Sequence, residues 1–128
     1  MENFENLFRY LADNLLIGGF GYDLPAEQPA HSIYWAGEAL AHADWLARHH
    51  DPARPTAAVL FYRAHWLSGN TAFVDAIVEA LLEQGFNALP IFTYSLREQV
   101  NRRLVIFDLF CTEDGKRLPD VVISTLSF

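Results

Sequence analysis

A single cysteine, Cys111, stands in 128 residues, which excludes an intrachain disulfide and a multi-cysteine zinc site and suits a reducing cytoplasm. Basic residues are scarce as well. Nine Lys and Arg against sixteen Asp and Glu leave a formal net charge of -7, which argues against nonspecific binding to nucleic acid or to an anionic membrane. The basic cluster is Arg97, Arg102 and Arg103. No apolar run approaches the ~20 residues of a membrane span, and the opening MENFEN lacks the basic n-region of a signal peptide, so the expected location is the cytoplasm. Internal repeats and low-complexity segments are missing too. So are the nucleotide fingerprints: there is no G-x-G-x-x-G after a strand and no Lys-bearing P-loop. Gly18-Gly19-Phe20-Gly21 follows a helical pattern and reads as a flexible turn.

What the chain does have is a core. Apolar residues make up 52% and charged residues 20%, and a chain of this length buries roughly two-thirds of its unfolded surface. The organising stretch is Thr56 to Ser95. Ala57 to Tyr62 is a continuous apolar run, as expected of a strand covered on both faces in a parallel sheet. Phe73, Val74, Ile77, Val78, Leu81 and Leu82 then recur at helical spacing with Asp75, Glu79 and Glu83 opposite, which predicts a helix over 71–84. Asn70 or Thr71 is placed to cap its start and Gly85 to close it. Because proline cannot donate to a ladder, Pro90 moves the next expected strand to Ile91–Tyr94.

Upstream, Phe4, Leu7, Phe8, Leu11, Leu15 and Leu16 predict a helix over 3–17. Residues 20–33, broken by Gly21, Pro25 and Pro29, read as an ordered loop. Tyr34, Leu40, Trp45 and Leu46 suggest a second helix over 34–49, stopped by Pro52 and Pro55. Downstream, residues 96–110 are expected to be helical, since Leu96, Val100, Leu104 and Phe107 fit one helical face, although Leu104–Phe107 alone also reads as a strand. Residues 112–119 form a polar turn, and Val121 onward is a third apolar strand. The expected fold class is therefore α/β: a parallel three-stranded βαβαβ, half-Rossmann-like core over 56–128, preceded by two helices in an N-terminal helical segment over 1–55. The chain stops inside the last strand, so the expectation is a domain truncated at its C-terminus, a fragment of a longer protein.

The loop after the first core strand gathers Arg63, His65, Ser68 and Asn70, where open α/β sheets hold their ligands. Two readings stand side by side. In one these residues cap the helix and face solvent. In the other Arg63 pairs with a ligand carboxylate, His65 stacks on or hydrogen-bonds the ligand, and the amides around Gly69 and Asn70 bind an oxygen. The remaining histidines are weaker candidates. His49-His50-Asp51 diverge at a helix end, where His favours the dipole; His42 and His49 are too far apart to chelate one ion; His31 lies alone in its loop. No Ser-His-Asp or Cys-His order names a nucleophile, and Cys111 reads as buried and inert.

The run Leu60-Phe61-Tyr62-Arg63-Ala64-His65-Trp66-Leu67-Ser68-Gly69-Asn70-Thr71 resembles the large subunits of the CobN/magnesium chelatase H subunit family. Ala88–Phe92, Ser95-Leu96 and Asp120–Thr125 are similar to the same pattern, whereas 97–117 departs from it. The resemblance implies a tetrapyrrole-binding subunit of ATP-dependent cobaltochelatase, which inserts cobalt into hydrogenobyrinic acid a,c-diamide in cobalamin biosynthesis. It also implies AAA+-related partner subunits, CobS and CobT, that hydrolyse the ATP, in keeping with the missing P-loop. Arg63, His65, Ser68 and Asn70 are the motif positions that carry over as substrate-binding residues. No metal ligand or catalytic residue carries over, no cofactor is expected on this chain, and the fragment alone is expected to be inactive. The alternatives are a magnesium chelatase H subunit and a noncatalytic α/β binding module.

Overall fold

A computed structural model describes residues 2–16, 18–100, 102–112 and 114–126. The elements run in the order α1 (Glu2–Leu16), β1 (His31–Trp35), β2 (Glu38–Leu40), α2 (His42–His49), β3 (Thr56–Tyr62), α3 (Arg63–Leu67), α4 (Ala72–Glu83), β4 (Asn87–Thr93), β5 (Gln99–Val100), β6 (Arg103–Leu104), α5 (Val105–Leu109) and β7 (Val121–Ser124). Five strands form one sheet in the order β2-β1-β4-β3-β7. Its centre is the expected α/β core. β3 pairs in parallel with β4 from Thr56 opposite Asn87 to Tyr62 opposite Thr93, and in parallel with β7 on its other side.

Both faces of this centre are covered, so its strands need no polar alternation. On one face Phe61, Phe92 and Tyr34 pack against Val74, Phe73 and Val78 of α4. On the other, Ala58, Leu60, Leu89 and Ile91 pack with Trp45 of α2, Ile106 of α5 and Leu118. The two sets alternate along each strand, as the pleat requires. α4 closes as its sequence predicts, with Gly85 N–H on the Leu82 carbonyl and Phe86 N–H on that of Leu81.

Four expectations need correction. The helix over 34–49 is confined to 42–49, because 31–40 form an antiparallel hairpin whose β1 also pairs antiparallel with β4. The turn is two residues long, Ala36 and Gly37, both at positive φ (48° and 93°). That is the geometry whose twist matches a two-residue hairpin, and glycine adopts it without strain. β4 begins at Asn87 and includes Pro90: the ladder to β1 ends at the Ile33–Ile91 pair, just short of the proline, so the missing N–H is tolerated there. The helix over 96–110 shrinks to the five residues of α5, preceded by the β5–β6 hairpin with Arg102 at φ 65°. Finally, Thr71 occupies the N-cap position of α4 and makes no side-chain cap bond, and neither does Asn70. α1 matches its predicted span, with residue 17 outside the described residues. The end of the last predicted strand, 127–128, also lies outside them.

Candidate functional site at the carboxyl edge of the sheet

β3 leads through α4 to β4 on one side, and the chain then crosses to β7 on the other. The connections after β3 and after β4 therefore diverge in opposite directions. This is the topological switch point at which open α/β sheets leave a crevice for ligands. Tyr62–Asn70 forms one wall. On the other side of β3, the Thr125 N–H and Oγ1 both donate to the Leu60 carbonyl, at 2.9 and 3.0 Å.

The loop itself is a single helical turn, α3, folded back by Gly69. Gly69 N–H reaches the Trp66 carbonyl at 3.1 Å and Asn70 N–H that of His65 at 2.9 Å. The reversal needs the left-handed φ of 71° at Gly69. Both amides assigned on sequence grounds to a ligand oxygen are thus occupied within the loop. Trp66 fixes the turn, with its ring stacked on Phe92 at 4.4 Å and 9° and its Nε1–H donating to the Gly37 carbonyl at 3.0 Å.

Three of the four candidate residues already have partners here. Arg63 does not reach outward: its Nε donates to the Pro29 carbonyl at 2.6 Å and its Nη2 to that of Gln28 at 3.0 Å. It is a strut between the loop and the 20–30 segment. His65 meets Phe73 edge-on at 5.0 Å and is half-buried. Ser68 Oγ donates to the His65 carbonyl at 3.2 Å. The exposed Asn70 side chain makes no hydrogen bond among the described residues. Beside them lies a hollow of about 640 Å³ lined by Glu2, Asn3, Phe4, Ala26, Gln28, Trp66 and Leu67. That lies within the ~300–1,000 Å³ of small-molecule sites.

His31, expected to be isolated, opens β1 instead and holds its Nδ1 3.4 Å from Glu98 Oε2. A register pairing His31 with Thr93 brings it to this edge, and 67 residues of separation hid the pair from sequence reasoning. The other histidines lie elsewhere. His49 stacks on Trp35 at 3.9 Å, and burial, reinforced by neighbouring Arg48, pushes its pKa below the usual imidazole value. Cys111 is half-buried, its backbone bridged to Arg117. No group of three or more His, Cys, Asp or Glu able to hold a metal occurs among the described residues. No described helix is long and apolar enough to cross a membrane.

The sequence pattern of the CobN/Magnesium Chelatase family matches residues 1–128. The chain belongs to that family. Among individual relatives, an aerobic cobaltochelatase subunit CobN of Pseudomonas aeruginosa is 36% identical over 103 residues, covering 77% of this chain and 8% of that protein. An uncharacterised protein of Methanocaldococcus jannaschii is 26% identical over 98% of the chain and 11% of its own length. The solved catalytic subunit of cobaltochelatase from Mycobacterium tuberculosis aligns with 98% of this chain and 9% of that one, at 30% identity and a TM-score of 0.57. The chain thus spans about a tenth of the length of these relatives.

Proposed function

We propose that this chain is the part of a cobaltochelatase large subunit that helps to hold the tetrapyrrole, in an ATP-dependent enzyme inserting cobalt into hydrogenobyrinic acid a,c-diamide. Cobalt is then substrate, and ATP is hydrolysed by AAA+ partner subunits of the CobS and CobT kind in the cytoplasm. The observation that carries the reading is the 98% alignment with a catalytic subunit of cobaltochelatase. Cobalt is favoured over magnesium because the P. aeruginosa relative, too, is a cobaltochelatase subunit.

The substrate-facing surface is the Arg63–Asn70 loop. His65 and Asn70 offer polar groups to the amide and carboxylate edges of a corrin, Ser68 orders the turn beneath them, and Arg63 holds the 28–29 backbone that borders the hollow. Trp66 and Leu67 line that hollow with apolar surface suited to a flat macrocycle. The test is a chimera in which this chain replaces the matching segment of the M. tuberculosis subunit, titrated with the corrin. A neutral hydrogen bond contributes about 0.5–1.5 kcal/mol, so His65→Ala and Asn70→Ala should each weaken binding roughly two- to tenfold. Affinities in both variants equal to that of the unsubstituted chimera would refute the assignment.

A further inference from the structure

An amphipathic helix on a globular core ordinarily turns its apolar stripe inward. α1 does the opposite. Asn3, Asn6 and Asp13 face its own chain, beside Tyr10, which meets Tyr22 edge-on at 5.0 Å: Asn3 exchanges hydrogen bonds with the backbone of Ala26, Asn6 Oδ1 accepts from Asp23 N–H, and the Asp13 carboxylate accepts from the N–H groups of Phe20 and Gly21. At 100° per residue these positions point roughly 150° away from the line of Phe4, Phe8, Leu11 and Leu15. That line is exposed to 67, 68, 40 and 75%, with Leu16 beside it at 77%; Phe4 at its start borders the hollow beside Trp66, and the rest faces outward.

Together these side chains present on the order of 500 Å² of apolar surface, as much as the largest patch on an ordinary monomer. Their spacing of four, three and four is the rhythm of a helix packed lengthwise on another helix. The alignment with the solved catalytic subunit takes in 98% of this chain but only 9% of that one, so in that relative the equivalent segment is joined to a far larger body. We infer that the Phe8–Leu11–Leu15 seam of this line docks against an apolar-striped helix supplied by the rest of the large subunit. This rests on the proposed reading of the chain as part of such a subunit.

Thiol labelling tests it in a Cys111→Ser background. Phe8→Cys and Leu15→Cys are compared with Glu27→Cys, an exposed loop control, in the isolated chain and in the chimera with the M. tuberculosis subunit. Phe8→Cys and Leu15→Cys should label as fast as the control in the isolated chain and at least tenfold more slowly in the chimera, with the control unchanged. Equal rates in both settings would overturn the inference. So would protection that grows with concentration in the isolated chain, since a second copy would then cover the seam. Leu15→Lys guards against a folding artefact: it should leave the isolated chain's urea midpoint unchanged and open α1 to trypsin in the chimera. Continued trypsin resistance there also counts against docking. Corrin titration of the same chimera separates the two claims. Binding with a freely labelled seam refutes the docking alone, and protection without binding refutes the substrate reading alone.

Discussion

Replacing Asn87 by alanine should be among the most damaging single changes to this fold. Its side chain is buried at the start of β4 and donates to the Asp51 carbonyl (2.8 Å), the Arg54 carbonyl (3.1 Å) and Thr56 Oγ1 (3.2 Å) while accepting from the Asp51 N–H (3.0 Å). One amide thus bolts the 51–55 turn and the first residue of β3 to the neighbouring strand. Its two protons serve three acceptors, and water reaches the exposed Arg54 region, so the loss is nearer two unsatisfied groups than four. At about 1–3 kcal/mol for each such group, Asn87→Ala should cost roughly 2–6 kcal/mol. For a domain of this size that is a fall in Tm of roughly 7–22 °C. Urea unfolding followed by tryptophan fluorescence measures it, and a change below about 1 kcal/mol would refute the reasoning. Asn87→Asp sharpens the test. A carboxylate facing two carbonyls and a hydroxyl has its folded pKa raised above the unfolded value of about 3.9. Relative to Asn87→Ala, its stability should fall as pH rises from about 4 through that folded pKa. A constant difference across this range would be equally fatal.

Two further outcomes follow from other contacts. Because the folded pKa of His49 lies below its unfolded value near 6.5, protonation favours the unfolded chain. Stability should be complete above about pH 6.5 and decline as pH falls below it; His49→Phe, which keeps a ring against Trp35, should flatten that decline, and an unaltered pH profile would count against the assignment. Arg63→Ala should free the 20–30 segment from its strut, seen as faster proteolysis there, while changing global stability by less than about 1 kcal/mol because the contact is peripheral. Unchanged cleavage would show that the strut holds nothing.

The βαβ centre was legible in the sequence because two-sided burial writes itself as unbroken apolar runs, and α4 as a stripe with charges opposite. The β1–β2 hairpin was not, since Tyr34, Leu40, Trp45 and Leu46 mimic helical spacing and the turn puts alanine where asparagine or aspartate usually signals positive φ. Pro90 misled for a related reason: its cost depends on where a neighbouring ladder stops, which is a tertiary fact. At the candidate site, the loop's position at the carboxyl edge was legible. Arg63's engagement was not, because its partners are backbone carbonyls more than thirty residues away. α1 marks a further limit, since periodicity reports that a stripe exists and not which way it faces.

The pair β3 and β4, reading TAAVLFY and NALPIFT, contains no Asp, Glu, Lys, Arg or His. The middle of the molecule is therefore electrostatically mute, and changes of acidity or ionic strength have little to grip there. They act at the perimeter, acid on His49 against Trp35 and salt on the Arg54–Asp51 and Arg103–Asp108 pairs. Mild acid at His49 and added salt at the exposed pairs should accordingly loosen the rim while amide exchange in the two inner strands stays slow, a graded softening from outside inward.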